Sequence, residues 1–390
     1  MKFAALFSVF LAATAHAQVQ GKPFGFAAGT TGGGNAKPAA PKSLQELVSW
    51  LKDDVPRTIL IDREWNFIGT EGTTTGKCCS TKTTTCEGGT SKGQAWIQDK
   101  CDDGQWITCK WDNAARTAID LGSNKSIVGV GNNGVIKGKG FRITNGKKNV
   151  IIQNIHFTTL NPEYVWGGDA ITLTDTDNVW IDHNKFSLIG RQHIVSGWKP
   201  AGHVTISNNE FDGRTQWSAG CNGKHYWTLL LIGEKDYYTF AGNWLHDVSG
   251  RAPHMGTTKT KSENFFHGVN NYFQNIGGHS FDVDANTWML LEGNVFEGVD
   301  TPITETTLKS GAVIYNVPNS QAGRACDNAI GKSCEINQLT RSGAFAGRTD
   351  ADVLKKAGLY KANIVGHTPV ADIPKNVMAN AGVGKLKLMS

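Results

Sequence analysis

The sequence predicts an all-β solenoid, a parallel β-helix, on three observations. An asparagine-centred pattern recurs at Asn154, Asn184, Asn209, Asn243, Asn271 and Asn294, at intervals of 30, 25, 34, 28 and 23 residues, a period that marks repeat architectures. Each copy opens with β-branched or apolar residues and places an aromatic or apolar residue two or three positions past the asparagine, as in Val150-Ile-Ile-Gln-Asn154-Ile-His-Phe157 and Val204-Thr-Ile-Ser-Asn-Asn209-Glu-Phe211. This is strand chemistry without helical spacing. The chain of 390 residues is also too long for one ordinary core, a limit a solenoid escapes because each coil buries its apolar face on its neighbours. A coil of this length holds about three short strands and their turns, and an asparagine repeated at one bend predicts a hydrogen-bonded ladder.

In chain order, residues 1–17 carry the marks of a secretory signal: Lys2, an apolar centre from Phe3 to Ala13, and an Ala15-His-Ala17 cleavage site. Residues 18–390 then form one solenoid domain. Ser43-Leu-Gln-Glu46 reads as a capping box opening a short helix through Trp50 and Leu51. Thr58-Ile-Leu-Ile61 is a short strand. Residues 70–115 are polar and cysteine-rich, a long stapled surface excursion carrying Trp96, Trp106 and Trp111. The repeats follow, with the longest intervals bearing Trp166, Trp217 and Trp227; extra residues between repeats become loops on one face, here a cleft. Asp350 to Leu359 reads as a short capped helix and residues 366–390 as an extended tail, the two covering the solenoid's end.

The cysteine count is even: Cys78, Cys79, Cys86, Cys101, Cys109, Cys221, Cys326 and Cys334, with no C-x-x-C pair. Disulfides of an exported protein fit better than a zinc site. Cys326 and Cys334 staple a local loop, and spacing leaves the pairing of the other six open. The one sequon, Asn124-Lys-Ser126, abuts an apolar strand. A formal net charge of +5, not clustered, excludes nucleic acid as the expected partner and admits a polyanion or its neutralised form. No apolar run is long enough to span a bilayer.

Twelve tryptophans, several in extended loops, suit pyranose binding, since a sugar's C–H face packs on an aromatic ring. Trp166, Trp217 and Trp227 are the candidates, whereas Trp50, Trp180 and Trp244 sit inside helix or strand patterns and read as core. Trp166-Gly-Gly-Asp169, Val179-Trp-Ile-Asp182-His183, Gly190-Arg191-Gln-His193, His225-Tyr-Trp227 and Ser249-Gly-Arg251-Ala-Pro253 together resemble the pectate and pectin lyase family, and within it the secreted fungal pectin lyases. The resemblance covers nearly the whole chain after residue 17, including Gly32-Gly-Gly34. It implies a right-handed parallel β-helix that cleaves (1→4)-linked galacturonan by β-elimination, leaving a 4,5-unsaturated end. It also implies Arg251 as proton acceptor at C5, in tension with an arginine pKa above about 12. Asp182 and His183 read as structural; His193, His225 and His254 are candidates for the cleft.

Calcium separates the two substrate classes. Pectate lyases that resemble the chain hold Ca²⁺ with clustered acids, but here only Asp169 remains: Gly167 stands two positions earlier and Arg191 occupies the next segment. Ca²⁺ needs several oxygen ligands, so the expectation is methyl-esterified pectin as substrate, no metal, no other cofactor, and Arg191 oriented by Asp169 supplying the charge. A monomer is expected. Against the family pattern, His254 stands where pectin lyases carry lysine. A calcium-dependent pectate lyase, a β-helix hydrolase using Asp175 and Asp177, and a non-catalytic pectin-binding protein are the alternatives.

Overall fold

Alternating β-branched and aromatic residues form strands too short to be stable alone, so each finds its partner one coil along. The computed structural model describes residues 18–386 other than 88, 90, 260 and 261; the expected signal at 1–17 lies outside them. Three parallel sheets of nine, nine and eight strands run its length. One coil shows the order: Val150–Gln153 lies in sheet 1, His156–Leu160 in sheet 2 and Ile171–Leu173 in sheet 3. The next coil supplies Val179–Asp182, Lys185–Ile189 and Ile194–Ser196, paired residue on residue: Ile152 with Ile181, Phe157 with Phe186, Ile171 with Ile194. Equivalent side chains therefore stack. Phe157, Phe186 and Phe211 form a column of parallel rings 5.5 and 5.1 Å apart, all fully buried.

The asparagine ladder forms at the bend between sheets 1 and 2, with one correction. The Nδ2 groups of Asn184, Asn209, Asn243 and Asn271 each donate to Oδ1 of the next, and Asn294 extends the run to Asn337. Asn154 stands one residue out of register: Ile155 occupies the ladder position and donates its N–H to Asn184 Oδ1. Asn154 instead takes a left-handed conformation (φ 60°), as do His183, Asn208 and Asn270 at the equivalent place in their coils, which Asn tolerates.

The ends and outer faces are covered by non-repeating chain. The helix Leu44–Lys52 forms where expected, with Ser43 Oγ accepting from Glu46 N–H, although the Glu46 carboxylate reaches Lys42 N–H rather than Ser43. Its Leu47 and Leu51 join the main core. Residues 20–33 run along the outside of sheet 1, donating backbone N–H groups to Gln153, Thr239, Thr205 and Ser126. Gly33 is required there, because a Cβ would lie 2.2 Å from the Arg57 carbonyl oxygen. The C-terminal segments depart from expectation: the helices Ser320–Ile330 and Ala351–Leu359 cover the outer face of sheet 1, against Phe265 and Leu290. The expected extended tail contains a helix, Ile373–Asn380, whose Ile373 and Val377 pack on Tyr272 and Val295. Outward apolar side chains on the sheets demanded this cover more than the solenoid's end did.

The excursion is itself ordered. Thr73–Thr81 and Gly104–Asp112 form an antiparallel hairpin, and Ala95–Trp96 links it to Tyr164–Val165 in a four-stranded sheet. The disulfides are Cys78–Cys109, Cys79–Cys101, Cys86–Cys221 and Cys326–Cys334. The third ties the excursion to the loop after Trp217.

Candidate active site

The residues before successive strands of sheet 3 converge on one rim. Backbone pairing carries Asp169 and Arg191 together: Arg191 N–H donates to Gly168 O and Ala170 N–H to Gln192 O. Gly190 permits the approach, since a Cβ there would meet three backbone oxygens of residues 160–164 within 2.8 Å. Asp169 Oδ1 accepts from Gln192 N–H at 2.8 Å, and Asp169 Oδ2 lies 3.4 Å from Arg191 Nη1. Burial raises the Asp169 carboxyl above its ordinary range, opposed by Arg191, the Gln192 N–H and Arg251. The guanidinium carbon of Arg191 sits 3.6 Å from the centre of the Trp166 ring, which is 44 % exposed.

Two coils further on, Arg251 takes a left-handed conformation (φ 48°) between Gly250 and the Pro253 turn. Its backbone N–H reaches His279 Nε2 at 3.3 Å, and its guanidinium carbon lies 4.7 Å from the Trp227 ring centre. Among the described residues no carboxylate forms an ion pair with it. Burial lowers its pKa, as does the neighbouring Arg191, against Tyr226, Asp282 and Asp169. His254 faces outward on sheet 3 and pairs with Asp282, Nδ1 to Oδ2 at 2.7 Å; that hydrogen bond holds the Asp282 carboxyl at about 2.

Three expected contacts are corrected by burial. His193 is fully buried, stacked 4.6 Å from His225 and against Phe186 and Phe211 inside the coil. His225 is buried beside it, with Nε2 at 2.7 Å from the Arg191 carbonyl oxygen. Desolvation holds both imidazoles below their ordinary range, at about 4 for His225. His225 holds the Arg191 backbone from behind, and neither ring opens to the groove. Trp227 is likewise nearly buried, with Arg251 over its face and the edges of Trp96 and Tyr226 against it, so it carries Arg251 rather than offering a platform. Trp217 lies apart, half-buried, bridging to Lys92 of the excursion. Asp182 is buried and structural, accepting from Gln153, Ser207 and Asn208.

Several supporting residues gave no sequence signal. Gln94, buried in the excursion, accepts from Trp227 Nε1 at 3.0 Å and donates to the Pro162 and Gly190 carbonyls, tying the segment that bears Arg191 to the ring that carries Arg251. His279 and Asp282 belong to a coil without a legible motif. Tyr226 was visible only as the neighbour of Trp227.

A calcium ion, which the resemblance to pectate lyases implies, does not fit this rim. One carboxylate faces a guanidinium 3.4 Å away, where a divalent cation needs several oxygens. Among the described residues the one group with clustered ligand atoms is Glu210, Asp212 and His246 on sheet 2. Lys185 lies 2.8 and 3.2 Å from its two carboxylates and Arg214 2.6 Å from Asp212, so cations of the chain already satisfy it.

Known proteins resemble the chain in sequence and in fold. The sequence profile described as pectate lyase matches residues 3–386. Probable pectin lyase E of Aspergillus fumigatus is 71 % identical over 98 % of the chain and 99 % of its own length. Probable pectin lyase F of Neosartorya fischeri is 72 % identical over the same shares. Among solved structures, a pectate lyase variant from Xanthomonas campestris superposes with a TM-score of 0.56 at 18 % identity, over 93 % of the chain and 98 % of its own. A Bacillus subtilis pectate lyase gives 0.55 at 18 %, over 96 % and 100 %. These structures share the fold, and the profile and the full-length relatives carry the assignment: the chain belongs to the pectate lyase family.

Proposed function

We propose that the chain is a secreted, endo-acting, monomeric pectin lyase that cleaves methyl-esterified galacturonan by β-elimination without a metal. The observation that carries this reading is Arg191, a fixed cation standing against Asp169 where a calcium site would need further carboxylates. In the reaction the C5–H bond breaks, its electrons form the C4–C5 double bond, and the C4–O bond to the next sugar breaks, its oxygen leaving with the electron pair and taking a proton from water. Charge develops on the C6 carbonyl oxygen. Arg191, held between Asp169 and Trp166, is oriented in advance to neutralise it. Arg251 takes the proton in its neutral form; desolvation lowers its pKa in the direction that role requires, and among the described residues no carboxylate pairs with it. A methyl ester favours the step, because the C5 proton is more acidic and no substrate carboxylate needs screening. Trp166 offers an exposed ring to the sugar, and His254 adds a polar group to the floor.

Export is supported by four disulfides and by the signal-like residues 1–17. Among the described residues no helix is long and apolar enough to cross a membrane.

The test follows unsaturated product by ultraviolet absorbance on highly methylated pectin and on polygalacturonate, each with and without EDTA. The expected result is activity on the methylated substrate that EDTA leaves unchanged. Activity on polygalacturonate that EDTA abolishes and Ca²⁺ restores would overturn the metal-free reading.

A further inference from the structure

The opposite rim of sheet 3 carries a third tryptophan–cation pair. The strand Ile194–Ser196 has Arg191 before it and Trp198 after it. Trp198 is 46 % exposed, and Lys259 Nζ lies 5.4 Å from its ring centre. Lys259 comes from two coils further on: Ile194–Ser196 pairs with Leu229–Leu231, which pairs with His254–Met255, and Lys259 follows that strand. The pair therefore spans the turn at Ile232 and Gly233 of the intervening coil.

The backbone beneath is fixed. Gly197 N–H donates to Leu173 O at 3.0 Å, Ile232 N–H to Ser196 O at 3.1 Å, and a Cβ on Gly197 would lie 2.8 Å from Ile232 Cγ1. The neighbouring Lys199 is held by Asp175 at 3.3 Å. Lys259 differs: among the described residues no carboxylate lies within 4.0 Å of it. Between the rims, Val195 and Leu230 face outward as a small apolar floor, in register with His254 and Asp282. An exposed indole beside an unneutralised ammonium, across the floor from Trp166 and Arg191, has the chemistry of a uronate site. The ring packs on a sugar face while the cation meets a carboxylate.

We propose that Trp198 and Lys259 form an outlying subsite that holds an unesterified galacturonate residue of the bound chain. This rests on the pectin lyase reading above, and assigns a distinct charge preference to each rim. Arg191, already partnered by Asp169, serves the esterified residue that reacts. Lys259 reads a free carboxylate elsewhere on a partly esterified chain.

The full chain carrying Lys259→Met or Trp198→Ala is assayed on fully methylated and on half de-esterified pectin. Lys259→Met should raise KM about 3- to 10-fold on the de-esterified substrate alone, with kcat unchanged. Trp198→Ala should raise KM on both, with kcat and melting temperature retained. An unchanged KM in either variant, or an equal rise on both substrates for Lys259→Met, overturns the subsite. Binding of saturated galacturonate oligomers by calorimetry separates this from failure of the lyase reading. If the wild type makes no unsaturated product, weaker oligomer binding in Lys259→Met still upholds the subsite, and equal binding removes it.

Discussion

Arg191 lies over Trp166 with its guanidinium carbon 3.6 Å from the ring centre, while Trp166 itself stays open to solvent. The ring and Asp169 limit the rotamers of a long side chain, so little entropy remains to be lost when charge develops beside it. A preorganised cation of this kind acts mainly in the transition state.

Replacing either guanidinium should therefore reduce turnover more than binding. Arg191→Ala and Arg251→Ala are each expected to lower kcat on methylated pectin by about 10²–10³-fold or more, with KM changed much less. Steady-state kinetics decides this, and a loss confined to KM would assign the arginines to binding alone.

Asp169→Asn separates stability from function. Burial raises the Asp169 carboxyl above its unfolded value, so the folded state binds the proton more tightly and gains stability as pH falls through the raised pKa. At pH 7 the ionised group is a net cost to folding. The variant is expected to melt at or above the wild-type temperature at pH 7, with the difference vanishing at acid pH. Its activity falls because Arg191 loses its anchor. Melting curves across pH, read with kcat, test both parts.

Gln94→Ala should damage the site from a distance. It removes three hydrogen bonds and leaves Trp227 Nε1–H and the Gly190 carbonyl without their partner. A destabilisation of about 2–4 kcal/mol is expected from denaturant unfolding, with kcat reduced about 10- to 100-fold because both arginines lose positional support.

Acid stability should depend on Glu292. Burial opposes its ionisation, but hydrogen bonding to His267 and the charges of His267 and Lys332 outweigh this and hold its pKa at about 2. A depressed carboxylate contributes stability above its unfolded pKa of about 4.3, lost as pH falls toward 2. Glu292→Gln is expected to be less stable than wild type at pH 7, on the order of 2–3 kcal/mol, with the gap closing between about pH 4 and 2. Urea unfolding at both ends of that window measures it.

Much of this was legible in one dimension. Strand chemistry around Asn184, Asn209, Asn243, Asn271 and Asn294 located the coils, and the motifs around Asp169, Arg191 and Arg251 brought the rim together. Asn154 lies one residue ahead of the ladder: the strands Val150–Gln153 and Val179–Asp182 are equal in length, and Asn154 follows the first directly, where His183 follows the second. His193, His225 and Trp227 were expected at the cleft and lie behind it. They occupy bends, where two-residue alternation no longer says which side a ring faces.

Local residue chemistry repeated in register was enough to read the coil period, the ladder from Asn184 onward, and the motifs carrying two arginines and a single carboxylate. Which side chains at the bends meet the groove is set by long-range packing. That depends on Gln94 and the excursion, on an outer layer of three helices, and on Lys259 crossing two coils to Trp198. Each of these contacts joins distant segments by close packing, and no local pattern in the chain encodes packing of that range.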